Sequence, residues 1–254
     1  MKLLKAMAIA FSIYSKIPVP QFEWKEEDME YMMCFFPWIG GVIGLFFFGW
    51  AVLCEKFAVG NVCYALIGAA IPLMISGGFH VDGYMDTMDA FHSYQSREKK
   101  LEILKDSHIG AFAAIMLALY YMIDIAAISE IHTQKAVFAL AAVFFLARCF
   151  SGIAVMTLQP AKKEGLLYTF ASSAQKVRVK AALYFQAALC VVLMLLVSGW
   201  YGAAAIGAAL LSFFYFKKKS YKELGGITGD TAGFFVTVCE AAAAAAVAVA
   251  GYFL

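Results

Sequence analysis

From Val62 to Phe79 the chain runs eighteen residues without a charge. That is close to the roughly 20 residues a helix needs to cross a bilayer's hydrocarbon core. Lipid offers no water to pair stray backbone N–H and C=O groups, so a spanning segment must be a helix or belong to a closed barrel. Apolar runs of this length recur, and they predict seven spans at about 33–53, 61–79, 109–128, 135–157, 181–198, 200–216 and 231–253. Composition agrees: the chain is 63% hydrophobic and 15% charged, whereas soluble domains average about 45–50% and about 25%. The expected fold class is all-α, a polytopic integral membrane helical bundle of about seven transmembrane helices plus an N-terminal interfacial helix. Residues 3–14 supply that helix. They are too short to span and lead into charges instead of a cleavage site, with Lys2, Lys5 and Lys16 toward the headgroups.

No soluble domain fits between the spans, so residues 1–254 read as a single membrane-embedded domain. Ser198-Gly199-Trp200-Tyr201-Gly202 joins the fifth and sixth spans as a tight hairpin. The Ala241–Ala246 run and Gly40, Gly41 and Gly44 read as small-residue faces for close helix packing. The six cysteines form no CxxC or Cys/His cluster and read as small buried hydrophobes.

The cations fall on alternate loops. The N-terminal segment and the second-to-third, fourth-to-fifth and sixth-to-seventh connections together hold 17 of the 20 Lys and Arg residues. Only Lys56 and Lys135 lie on the other side, and Arg148 lies within a span. By the positive-inside rule the N-terminus is cytoplasmic and the C-terminus outside. Every polar motif then faces the cytoplasm, which suits a one-sided site better than a transport path.

The first of these motifs is HVDGYMDTMD, 80–89. Its carboxylates Asp82, Asp86 and Asp89 follow at i, i+4 and i+7 and share one helix face. Like charges on one face repel unless a cation lies between them. Hard oxygen ligands at a membrane boundary point to Mg²⁺, with Mn²⁺ as the alternative, and so to phosphate chemistry. Gly77, Gly78 and Gly83 permit a helix break or a close backbone approach. His80 either orients a carboxylate, contacts phosphate, acts as a general base or is a satisfied structural histidine.

Three further motifs share that side. Lys105-Asp106-Ser107-His108 precedes the third span, where Asp106 or Ser107 either caps the helix or joins Lys105 in meeting phosphate at its N-terminus. Gly225-Gly226-Ile227-Thr228-Gly229-Asp230 is a glycine-rich turn entering the seventh span. Its backbone N–H groups at Thr228 and Gly229 suit a phosphate or nucleotide, and Asp230 either caps the helix or adds a metal ligand. AKKEGL at 161–166 is the third. Within the spans, Glu240 and Arg148 are functional candidates because intramembrane charges are rare, and Arg148 either snorkels or meets a phosphate or an acid. Asp124 reads as an interfacial residue.

In this order, FSIYSKIPVP (11–20), FFPWIGGVIG (35–44), GGFHVDGYMDTMDAF (77–91), ILKDSHIGAF (103–112), AKKEGL (161–166) and GGITGDTAG (225–233) resemble the cobalamin synthase family. The resemblance covers nearly the whole chain, and the acidic motif and GGITGDTAG are its specific parts. Ala90-Phe91, Ala113, His108 and Lys162-Lys163 depart from the family pattern, but every carboxylate is kept. The resemblance implies a prokaryotic inner-membrane enzyme of late vitamin B12 assembly. Such an enzyme joins adenosylcobinamide-GDP to α-ribazole or its 5′-phosphate and releases GMP with Mg²⁺. The implied partners are those substrates and the lipid bilayer, not nucleic acid, with a homo-oligomer or association with other corrinoid-pathway enzymes left open.

Two other readings compete. A CDP-alcohol phosphotransferase also uses helix-borne aspartates, but Asp82-Gly83 is followed by Tyr84-Met85-Asp86 without that family's Ala-Arg. A cation transporter would need polar groups through several spans and on both faces, and apart from Asp124, Arg148 and Glu240 the span interiors carry no charge.

Overall fold

The computed structural model describes residues 2–20, 23–162 and 166–253. Among them it is helical throughout, with one isolated bridge between Pro160 and Ile227. The helices are α1 (Lys2–Tyr14), α2 (Phe36–Phe57), α3 (Asn61–Ser76), α4 (Phe79–His92), α5 (Arg97–Ile103), α6 (Ala111–Ile128), α7 (Gln134–Thr157), α8 (Leu166–Ser173), α9 (Lys176–Ser198), α10 (Trp200–Leu224) and α11 (Gly229–Gly251). The expected interfacial segment is α1, with Ala6, Ile9, Ala10 and Tyr14 turned inward and Leu3, Leu4 and Met7 exposed.

All seven expected spans are helical, but they do not qualify equally. Five helices, α2, α6, α7, α9 and α11, are long and apolar enough to cross alone. The second span is broken: α3 and α4 meet at 97° and count as a sixth crossing only when taken together. Gly77 (φ +67°) and Gly78 (φ +84°) make the break, because both lie in the left-handed region that side chains disfavour. The sixth expected span is the first part of α10. That helix is long enough, at 25 residues, but it runs on through Lys217, Lys218, Lys219 and Lys222 and so falls short in apolarity.

α7 and α11 form the centre, each buried over most of its length. The small residues act as their spacing predicts. A Cβ on Gly40 or Gly44 would collide with the α7 carbonyls of Phe144 and Ala141, so α2 meets α7 backbone to backbone. The alanine run of α11 lies largely inside the bundle.

The buried charges of the spans sit at or beside this centre. Arg148 on α7 donates to Glu240 on α11 at 2.7 Å and to the carbonyl of Phe144 at 2.8 Å. Asp124 is 6% exposed and lies in the bundle beside Glu240, so its expected interfacial position is corrected. The sequence shows its height in the membrane but not which way α6 faces.

Candidate active site at the helix mouth

The bend at Gly77-Gly78 turns α4 away from α3 and lays it against the start of α11. Gly83 permits the closest approach, since a Cβ there would come within 2.8 Å of the Asp230 carbonyl oxygen. Gly233 does the same from the other side, 3.1 Å from the carbonyl oxygen of His80. The acidic motif and the glycine-rich turn, about 140 residues apart in sequence, therefore meet. Asp82, Asp230 and Asp89 are the charges that Asp86 feels most strongly.

The three acids of α4 are not equivalent. The Asp89 carboxylate accepts from the backbone N–H groups of Gly110 at 2.7 Å and Ala113 at 2.9 Å. It therefore caps α6 across the fold. Gly110 is required there because a Cβ would strike the carboxylate at 2.5 Å. This corrects the expectation that Asp106 or Ser107 caps that helix. Asp106 instead bonds His108, with 2.6 Å between Oδ1 and the ring Nδ1, and the Asp106 carboxylate raises the His108 pKa above its ordinary value. Asp106 and Ser107 sit on an exposed loop outside the cavity lining.

Asp82 and Asp86 are different. Neither side chain has a hydrogen bond or ion pair among the described residues. Asp82 lines two cavities at once. The first, of about 460 Å³, is also lined by Lys105, Lys162, Thr228, Gly229 and Asp230. The second, of about 530 Å³, opens between α1, α3 and α6 beside Lys16 and Tyr121. Both volumes suit small-molecule sites, which run about 300–1,000 Å³.

Local structure explains the polar wall of the first cavity. Thr228 caps α11, its hydroxyl accepting from the Thr231 N–H at 3.1 Å while the Thr231 hydroxyl accepts from the Thr228 N–H at 2.8 Å. Asp230 is thus not the cap; its carboxylate accepts from the Thr228 hydroxyl at 3.3 Å. The bridge at Pro160 and Ile227 ties the fourth-to-fifth connection to this turn, with Ala161 N–H on Ile227 O at 2.8 Å and Ile227 N–H on Gln159 O at 3.0 Å. It brings Lys162 beside Asp230, and Lys162 also donates to the Leu101 carbonyl at 2.6 Å.

The other wall is aromatic. His80 lies among Tyr14, Phe36 and Phe79, with ring centroids 6.1, 5.6 and 5.6 Å away. It is 5% exposed, and neither ring nitrogen has a partner among the described residues.

The structure therefore gathers His80, Asp82, Lys105, Thr228, Gly229 and Asp230 around one cavity, with Asp86 next to it. Arg148 and Glu240 are not in the lining of this cavity: Arg148 meets an acid, the second of its expected partners. Lys162, Tyr14 and Phe36 belong to the site although their residue types did not mark them; their signal lies in AKKEGL, FSIYSKIPVP and FFPWIGGVIG. Lys163, Glu164 and Gly165 of AKKEGL lie outside the described residues.

Among the described residues no three acids or other ligating side chains stand together as a ready metal cage. Mg²⁺ needs none, because it keeps several waters and takes one or two carboxylates plus substrate phosphates. Two neighbouring carboxylates without partners at a cavity holding two lysines fit that requirement.

Residues 6–248 match the family model described as cobalamin-5-phosphate synthase. A relative in Lachnoclostridium phytofermentans, named adenosylcobinamide-GDP ribazoletransferase, is 44% identical over 98% of this chain and 95% of its own length. Relatives of the same name in Clostridium botulinum strains Alaska E43 and Eklund 17B are 31% and 34% identical, each over 94% of both chains. No solved structure matches.

Proposed function

The chain belongs to the cobalamin-5-phosphate synthase family, and from that premise we propose how its helix mouth carries out the family's reaction. The protein is a transferase of late cobalamin biosynthesis, an adenosylcobinamide-GDP ribazoletransferase. It joins adenosylcobinamide-GDP to ribazole, or to its 5′-phosphate, and releases GMP.

Asp82 and Asp86 would hold Mg²⁺, or Mn²⁺ in its place, beside the donor's phosphates. The ion supplies charge neutralisation for a leaving phosphate. Lys105 and Lys162 take the remaining phosphate charge, together with the Gly229 N–H at the start of α11. A ribose hydroxyl of ribazole forms the new bond to the phosphorus on the cobinamide arm. The anhydride P–O bond breaks, GMP leaves with its electron pair, and Asp230 accepts the hydroxyl proton. Asp89 positions α6, and with it the Lys105 loop, because both of its oxygens are committed to backbone N–H groups. The site faces the cytoplasm in the inner membrane of a prokaryote, N-terminus inside and C-terminus outside. The alternating cation pattern supports that orientation.

The observation that carries this reading is the pair Asp82 and Asp86, neighbouring carboxylates without a partner beside a cavity edged by Lys105 and Lys162. The test is to incubate inserted protein with adenosylcobinamide-GDP, α-ribazole and Mg²⁺ and measure GMP. Asp82→Ala and Asp86→Ala should each abolish release, and normal turnover by both would remove the metal assignment.

A further inference from the structure

His80 presents an unmet need. A neutral imidazole offers one donor and one acceptor, and a buried polar group without partners is uncommon in a native fold. Here both ring nitrogens are buried and unpartnered, and the ring lines the first cavity. Its ring neighbours are aromatic: Tyr14 and Phe36 are 4.5 Å apart between centroids, Tyr14 and Phe79 5.0 Å, and the Arg148 guanidinium is the charge that reaches it. Met33 lines the same region. The cavity thus has an aromatic part that includes His80, next to a part rich in charge.

Resting on the ribazoletransferase reading, we propose that this aromatic part is the subsite for the acceptor's base and that His80 sets base specificity through one hydrogen bond. The base of ribazole is an apolar fused aromatic ring with one ring nitrogen free to accept. One imidazole N–H matches one nitrogen, while Tyr14, Phe36 and Phe79 supply flat apolar contact. The guanine of the donor fits poorly, because its edge carries several donors and acceptors that these walls would leave unpaired. A base held here directs its ribose toward Asp82, Lys105 and Asp230, where the diphosphate is to be attacked. The corrinoid ring stays outside, being too large for this cavity.

The test measures binding as well as turnover. Calorimetry on wild-type protein in lipid nanodiscs would compare α-ribazole with its indole counterpart, in which the free ring nitrogen is replaced by C–H. Wild type should prefer α-ribazole about tenfold, the size of one net hydrogen bond. His80→Phe, similar in shape, should bind both ligands with the weaker affinity, and His80→Gln should regain part of the preference. Donor affinity should not move in either variant. Equal binding of the two ligands by wild type, which needs no variant to fold, overturns the proposal. So does a preference that survives His80→Phe, or a loss that falls on the donor. GMP release by the same wild-type sample separates the two levels. Release without a base preference removes only the subsite, whereas absence of release removes the transferase reading while the affinity pair still reports on the base.

Discussion

The Asp89 carboxylate caps a helix that starts at Gly110: its oxygens accept from Gly110 N–H at 2.7 Å and Ala113 N–H at 2.9 Å. One residue of an apparently uniform acidic face is thereby tied into the architecture. It fixes α6 to α4 and so fixes the loop bearing Lys105. Asp86 and Asp82, about one and two turns earlier, have no such partner among the described residues.

Loss of the cap should therefore read out as stability. Asp89→Ala should destabilise the protein by about 0.5–2 kcal/mol, the usual range for an N-cap, seen as a lower melting temperature in detergent. Asp82→Ala and Asp86→Ala should melt at or above the wild-type temperature, because each removes repulsion, while losing GMP release. Equal melting shifts for all three would contradict the division of roles.

Metal dependence should follow the same division. Chelation with EDTA should stop GMP release, and Mg²⁺ should restore it. Mg²⁺ should also raise the melting temperature of wild type but not that of the Asp82→Asn, Asp86→Asn double variant. An equal rise in both proteins would place the ion elsewhere.

The Arg148–Glu240 pair should behave as structure, not as a phosphate site. Removing one partner leaves a buried charge alone and should cost about 3–5 kcal/mol. The double variant Arg148→Met, Glu240→Met should recover most of that loss and retain turnover. A folded double variant without activity would return Arg148 to the substrate-binding candidates. Thermal melting and GMP release on the same samples decide between these outcomes.

Lys162 should matter to the donor. Lys162→Ala removes a charge-assisted contact, worth about 1.5–3 kcal/mol, and should raise the donor KM roughly ten- to a hundredfold. The KM for ribazole should change little. A change confined to ribazole would reverse the assignment of the cavity's charged part.

Orientation is open to labelling. A membrane-impermeant maleimide should reach Tyr252→Cys in intact spheroplasts and Tyr94→Cys only after the membrane is opened, both positions being exposed in the fold. Native Cys63, also exposed, is replaced beforehand. The reverse pattern would invert the topology and move the site to the outer face.

Much of this protein is legible without a structure. Uncharged runs near the thickness of a bilayer specify helices, because lipid leaves backbone polar groups no other partner. The spacing of Asp82, Asp86 and Asp89 specifies a shared face, because helix geometry is local. Gly77 and Gly78 announced a break, and Gly40 and Gly44 a close packing face. What adjacent positions in sequence do not encode is which distant group each side chain meets. Asp89 and Asp82 look alike along the chain, and only the position of α6 makes one a cap. Asp124 reads as an edge residue, and Arg148 as one that snorkels or meets a phosphate or an acid, until α7 and α11 pack together and pair Arg148 with Glu240. Lys162 and the rings around His80 join the site through contacts between segments far apart in sequence. Periodicity and hydropathy follow from local backbone geometry and the solvent, so the sequence determines the helices and their membrane setting. Pairing depends on long-range packing, so the tertiary structure alone decided which of the acids on α4 supports the fold and which have no partner among the described residues.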